Sequence, residues 1–144
     1  MVAWTVRGPK GCTMKKTVEE LMDLEYWIID ILPERVPEGG AGQYFAVERF
    51  LIQEQGRAIK QKHLDLILKL NCYMNISLDD APRVNPSPEE IAEAVFGRHV
   101  NILLGGAMIT SDPDDTYLTL YGPDEKLLDL VRALAASEGL FVWQ

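Results

Sequence analysis

Four polar side chains of this 144-residue sequence could together form a reactive or ligand-binding pocket: Asp30, Tyr73, His99 and Asn101. Asp30 interrupts the apolar stretch of residues 24–32, three positions before a proline. A carboxylate inside an apolar strand is costly unless it is paired or reaches solvent. Asp30 therefore lies either exposed at a strand end or in a site that uses its charge. An acid–base pair of Asp30 and His99 requires the two side chains to lie within one hydrogen bond or one bridging water.

The sequence contains no pattern typical of a metal centre, a bound cofactor or a catalytic triad. The histidines, His63 and His99, are far apart, and Cys12 and Cys72 are the only cysteines. His63 stands among charged residues, which predicts a surface position, and Cys72 is expected on the apolar face of a strand. The glycine-rich residues 33–42 match no phosphate-binding motif and carry two glutamates, so a mobile connector is predicted. We expect no cofactor and no metal, and enzyme activity is less favoured than binding.

The charge of the chain indicates which partners it can bind. A net charge of −8 argues against a nucleic acid, because phosphates require a basic surface. The same charge favours a basic protein or a cationic ligand. No apolar stretch reaches the length of a transmembrane helix, so we expect no membrane contact and a cytoplasmic location. The partners predicted are a second copy of the chain or another protein, with a small molecule as the alternative.

Residues 1–13 differ from the rest of the chain because they contain glycine and proline and show no periodicity. We predict that they are a leader or a cloning remnant of irregular conformation, and that residues 14–144 form a single domain. Helices are predicted over residues 17–23, 43–70 and 88–96 and from residue 123 onward, with a kink or a break at Gly56. Strands are predicted over residues 24–32, 71–78, 100–110, 116–121 and 140–144.

This order of elements predicts an α+β fold. We expect a two-layer sandwich of about five mostly antiparallel, mixed strands with helices on one face. The arrangement resembles ferredoxin-like folds in outline, which carries no functional weight.

Side chains alternate along the predicted strands between an apolar face and a polar-aromatic face. The apolar face, which holds residues such as Ile76, Ile102 and Leu118, is expected to lie under the helices. Tyrosine and tryptophan on the opposite face combine a large contact area with a hydrogen-bonding group, as in many interfaces. The candidate ligand or interface residues are Asp30, Tyr73, Asn75, His99, Asn101, Tyr117, Tyr121 and Trp143.

These observations favour an interaction or regulatory module that is homodimeric and uses the polar-aromatic face. One alternative is a small-molecule-binding protein or enzyme with a pocket near Asp30, Tyr73, Asn101 and His99. Another is an acidic immunity-type protein that neutralises a basic toxin, which only the net charge supports. The polar-aromatic face could instead be covered internally, by the first helix or by the connector of residues 33–42.

Overall fold

Four helices and six strands follow one another in the computed structural model, which describes residues 16–144. The predicted leader of residues 1–13 and Cys12 lie outside the described residues. The elements are α1 (Val18–Met22), β1 (Tyr26–Asp30), α2 (Tyr44–Asn71), β2 (Ile76–Leu78), α3 (Pro88–Gly97), β3 (Val100–Leu104), β4 (Ala107–Ser111), β5 (Leu118–Tyr121), α4 (Glu125–Ser137) and β6 (Phe141–Trp143). The predicted α+β class is confirmed.

The six strands form one sheet in the order β2-β3-β4-β5-β1-β6, and every neighbouring pair is antiparallel. The count differs from the predicted five because the strand expected over residues 100–110 is a hairpin. Gly105 and Gly106 have φ angles of 52° and 79° and form its two-residue turn. Positive φ at both central positions matches the twist of a hairpin, and glycine adopts it without steric cost.

The strand predicted over residues 71–78 is wrong in its first half, where helix α2 ends. The backbone N–H groups of Cys72, Tyr73 and Met74 still donate to carbonyls of Lys69 and Leu70, as in a last helical turn. Cys72 is therefore an exposed helix cap rather than a buried strand residue. The alternating pattern of residues 72–75 resembled a strand, but the hydrogen bonds of the preceding helix decide the conformation there.

Helix α2 is one continuous helix of 28 residues, so of the two alternatives predicted at Gly56, a kink or a break, the break does not occur. A glycine inside a helix costs about 1 kcal/mol relative to alanine. The packing of the C-terminal half of α2 on the sheet outweighs that cost. At the helix rise of about 1.5 Å per residue, the two ends of α2 lie about 40 Å apart.

The hydrophobic core contains side chains from one face of the sheet and from α2, α3 and α4. Ile76, Ile102 and Leu118, which were predicted for the helix-covered face, belong to this core. The aliphatic side chains of the core include Ile29, Leu66, Ile67, Leu70, Ile76, Ile91, Val95, Val100, Ile102, Leu104, Ile109, Leu118, Leu120, Leu127 and Val131.

The short helix α1 packs on the other face of the sheet. Thr17 and Glu20 form a capping box at its start, and the helix contacts β4. Leu21 and Met108 are buried, although neither belongs to the core cluster between sheet and helices. Met108 neighbours the core residue Ile109 on β4, so it points to the opposite face. Helix α1 therefore covers the middle of the face that was predicted to be polar and aromatic.

None of the helices in residues 16–144 combines the length and the apolar character needed to cross a membrane.

Candidate functional site

The part of the polar-aromatic face that α1 leaves open forms a cleft of about 720 Å³. We call it the aromatic cleft. Its floor is formed by β1 and β6 together with Tyr117, which precedes β5, and its wall is the 35–45 segment that leads into α2. The lining residues are Tyr26, Ile28, Asp30, Arg35, Val36, Pro37, Glu38, Gly39, Gly40, Ala41, Gly42, Tyr44, Phe45, Tyr117 and Trp143.

Strand β1 supplies the floor of the aromatic cleft. Because side chains alternate along a strand and Ile29 lies in the core, Tyr26, Ile28 and Asp30 point to the other face. Ile28 lies opposite Trp143 of β6, which brings the C-terminal tryptophan into the floor. The order of strands thus assembles a site from residues more than 100 positions apart in the sequence.

The wall of the cleft begins with a turn at residues 37–40. The N–H of Gly40 donates to the carbonyl of Pro37 at 3.2 Å, and Gly39 has a φ angle of 72°. A glycine with positive φ at the third position is typical of a type II turn. The connector of residues 33–42 therefore contains a turn and closes one side of the cleft, and its mobility stays a prediction.

A hydrogen bond holds the indole ring of Trp143 in position, and a cationic side chain lies against the ring. Its indole Nε1–H donates to the carbonyl of Leu32 at 3.1 Å. The guanidinium of Arg35 lies 5.7 Å from the centroid of the indole ring, within the range of a cation–π interaction. The tryptophan face that looks into the cleft thus already carries a positive group.

Asp30 is the buried carboxylate of the cleft, with 6% of its surface exposed. Its Oδ1 accepts the N–H of Ile31 at 2.8 Å. Burial raises the pKa of Asp30, the negative charge of Glu48 adds to the rise, and the N–H groups of Ile31 and Leu32 oppose it. The backbone therefore stabilises the charged form of Asp30, which forms no ion pair within residues 16–144.

Further carboxylates extend the negative charge along the edge of the cleft. Tyr44 donates its hydroxyl to Oε2 of Glu48 at 2.9 Å. Burial, this hydrogen bond and the charge of Glu48 raise the pKa of Tyr44 far above its usual range. Burial also raises the pKa of Tyr117, and the charges of Asp115, Glu48 and Asp30 add to that rise. The contributions of these carboxylates to the two tyrosine pKa values indicate a negative potential at this edge of the cleft.

The rim of the cleft is apolar. Phe45 is 77% exposed at the start of α2, and its ring contacts Tyr44 edge-on with centroids 5.4 Å apart. Val36, at the other end of the 35–45 segment, also lines the cleft and is exposed. Exposed apolar side chains that lie close together in this way mark many protein-binding surfaces.

The structure brings three of the eight predicted site residues into the cleft: Asp30, Tyr117 and Trp143. Tyr121 lies beside them on the same face, where its ring is 5.9 Å from that of Tyr26. Asn101 also points to this face, but further along the sheet, where its Oδ1 accepts the hydroxyl of Thr110 at 3.0 Å.

The other three predicted residues lie elsewhere. Tyr73 is exposed just beyond the C-terminal end of α2, and Asn75 accepts an amide hydrogen bond from Asn85. His99 precedes β3, with Nδ1 at 3.4 Å from Oδ2 of Asp112. Strands β5 and β4 separate β1 from β3, a distance of about 14 Å across the sheet. Asp30 and His99 are therefore not brought together as an acid–base pair.

His63 is fully buried, so its predicted surface position is wrong. Burial and the charge of Lys60 lower its pKa to about 3, against the opposing effect of the Thr116 backbone. Within residues 16–144, neither ring nitrogen has a partner with the distance and angles of a hydrogen bond, so the approach of the Thr116 backbone is a weak contact. Lys60, one turn earlier, is 3% exposed and donates to Ser111 Oγ at 2.8 Å and to the Asp112 carbonyl at 2.9 Å. The sequence signal that we missed is the helical spacing from Ile59, which places His63 on the buried side of α2.

Sequence reasoning also missed Arg35, Tyr26 and Tyr44 as parts of the site. Tyr26 could have been found, because strand alternation places it on the same face as Asp30. Arg35 and Tyr44 reach the cleft only through the path of the connector, for which the sequence carries no periodic signal. Within residues 16–144, no group of three or more His, Cys, Asp or Glu side chains could hold a metal ion.

Comparison of the chain with protein-family models, with curated proteins and with solved structures found no match.

Proposed function

We propose that this protein is a non-enzymatic binding module and that the aromatic cleft receives a segment of a partner protein. The observation that carries the proposal is the cleft itself, an opening of about 720 Å³ lined by five aromatic residues and bordered by the exposed Phe45 and Val36. Aromatic side chains supply large contact area at low conformational cost, which suits them to recognition. Neutralisation of a basic toxin would be one form of this binding.

An enzyme or small-molecule site at Asp30, Tyr73, Asn101 and His99 receives less support. Asp30 and His99 are separated by two strands, and Tyr73 is at the far end of α2 from the cleft. The two-layer, ferredoxin-like arrangement, with α2, α3 and α4 on one face of the sheet, stays a prediction. The proposed function does not depend on this arrangement.

Selection from a library of random peptides tests the proposed function. Peptides enriched on the wild-type protein are expected to lose at least tenfold in affinity for a Phe45→Asp variant. The matched control is Tyr73→Asp, because Tyr73 is also an exposed aromatic residue, with 68% of its surface accessible, but lies outside the cleft. Failure to enrich any peptide, or equal losses in the two variants, would contradict the proposal.

A second candidate function, self-association, is supported by the outer face of α2. Phe50 and Val47 are exposed there, and neither lines the aromatic cleft. We propose that two copies of the chain pack through this face and leave the clefts open. Light scattering on a sizing column should then give twice the mass of one chain, with dissociation in Phe50→Glu and none in Trp143→Ala. Dissociation caused by Trp143→Ala would place the cleft inside the self-interface instead.

A further inference from the structure

We propose that the aromatic cleft accepts a guanidinium group, the arginine side chain of a partner protein, and that Arg35 occupies this position when no partner is bound. This inference rests on the proposed function, because it names the chemistry of the segment that the cleft receives.

The first argument is the place that Arg35 already takes. Its guanidinium lies 5.7 Å from the indole centroid of Trp143, at the wall of the cleft. Tryptophan is the aromatic residue that attracts cations most strongly, and a planar guanidinium stacks on it better than an ammonium does. Because Trp143 is fixed by its bond to Leu32, the stacking surface is present before a ligand arrives. Arg35 comes from the loop that walls the cleft, so a partner's arginine can replace it by a movement of that loop.

The second argument is the negative charge that remains uncompensated. Asp30 and Glu38 line the cleft, and Glu48 is bonded to its Tyr44. The described part of the chain contains four ion pairs, and none of them includes Asp30, Glu38, Glu48 or Arg35. Asp30 is more than nine-tenths buried, so its charge is poorly screened by solvent and acts on whatever enters the cleft. An arriving cation would therefore find carboxylates that form no ion pair among the described residues.

The third argument excludes other occupants by charge. An uncharged apolar segment would cover the carboxylates of the cleft and leave them desolvated, which is unfavourable. A second copy of this chain has the same excess of negative charge, so its surface is poorly suited to neutralise the carboxylates of the cleft. A basic partner is attracted instead, and the exposed Phe45 and Val36 can contact apolar residues that flank its arginine.

Calorimetric titration with a short blocked peptide tests this inference. The probe carries one arginine flanked by leucines, and the comparison probe carries citrulline, which has the same shape without the charge. We expect the citrulline peptide to bind at least tenfold more weakly, and Asp30→Asn to weaken the arginine peptide by a similar factor. Glu38→Gln, an exposed loop change that does not disturb the core, should weaken it about threefold. Arg35→Gln should strengthen it several-fold, because the internal competitor is removed.

The outcomes separate this inference from the proposed function. Equal affinity for the arginine and citrulline probes would show that an apolar segment is the occupant and would overturn the inference. The inference also fails if neither probe binds while library-selected peptides without arginine bind at Phe45, and the proposed function then stands. A cleft that binds no peptide of any kind contradicts both. A dimer that dissociates in Trp143→Ala would show that a second copy fills the cleft, which also overturns the inference.

Discussion

The buried carboxylate of Asp30 lowers the stability of the folded protein, and we attribute its position to binding in the cleft. Its pKa is raised in the folded protein, first by burial. A carboxyl group with a raised folded pKa contributes stability below its unfolded pKa of about 3.9, and this contribution is lost as the pH rises through the folded value. At neutral pH the charged Asp30 is therefore a cost that the fold tolerates. Such a cost is common where a residue is needed for recognition.

We expect Asp30→Asn to stabilise the protein at pH 7 by about 1 kcal/mol, the usual size for a favourable substitution. Asparagine can still accept the N–H of Ile31, so the local backbone is kept. Urea unfolding of wild type and variant, followed side by side from pH 7 to pH 3.5, is the measurement. The difference should shrink as the pH falls, because Asp30 becomes protonated. A variant that is less stable than the wild type at pH 7 would contradict this account of Asp30.

The contribution of His63 to the free energy of unfolding should depend on pH in the opposite direction from that of Asp30. Its folded pKa of about 3 lies below the unfolded value of about 6.5. The neutral ring therefore contributes stability that is present above pH 6.5 and is lost as the pH falls toward 3. Between pH 7 and pH 5 this loss amounts to about 2 kcal/mol for one proton.

The substitution His63→Leu should remove this acid sensitivity. Leucine has a similar volume and no ring nitrogens to leave unpaired, so stability at pH 7 should be unchanged or higher. From pH 7 to pH 5, the free energy of unfolding should fall in the wild type and change much less in the variant. His99→Gln is the control, because His99 is exposed and the loss should persist without it. A similar loss in His63→Leu would show that another group controls the acid response.

Helix α2 joins the core to the cleft. Its C-terminal half packs on the sheet through Leu66, Ile67 and Leu70, and its first turn places Tyr44 and Phe45 at the cleft. Gly56 lies between the two halves. An added Cβ there would meet only Ile52 Cγ2, at 4.0 Å.

Gly56→Ala should therefore stabilise the protein by about 0.5–1 kcal/mol, since alanine loses less backbone entropy in a helix. Gly122→Ala is the contrasting variant, because Gly122 has a φ angle of 65° and a Cβ would lie 2.4 Å from Leu24 Cδ1. Thermal unfolding should show a higher midpoint for the first variant and a lower one for the second. A lower midpoint for Gly56→Ala would mean that α2 requires flexibility at this position.

Helices and strands whose ends are set by neighbouring residues could be predicted from the sequence. The helix predicted over residues 88–96 is α3, which starts at a capping box of Ser87 and Glu90, and the first half of the strand predicted over residues 100–110 is β3. Prediction failed where distant contacts decide. His63 looked exposed from its charged neighbours, yet the sheet covers it. The 33–42 connector carries no periodic pattern, so its turn over the cleft depends on tertiary contacts that the sequence does not display.

At the scale of the whole molecule, the cleft exists because β6 pairs with β1 at the edge of the sheet. This pairing brings Trp143 beside Ile28 and opposite the loop that carries Arg35. Sequence alone predicted the residues Asp30, Tyr117 and Trp143 separately, because aromatic and acidic residues on one strand face are visible in the pattern. It could not predict that they meet, since strand order depends on pairings between segments distant in the chain.

The most direct test of the account is to locate binding on the molecule by nuclear magnetic resonance. The arginine peptide is titrated into isotope-labelled protein, and the indole N–H signals of the tryptophans are assigned by substitution. Trp143 lies in the cleft, whereas Trp27 packs against the core on the other side of β1 and is an internal reference. We predict that the Trp143 signal shifts and that the Trp27 signal does not. A Trp143 signal that stays unchanged at saturating peptide would contradict the assignment of the aromatic cleft as the binding site.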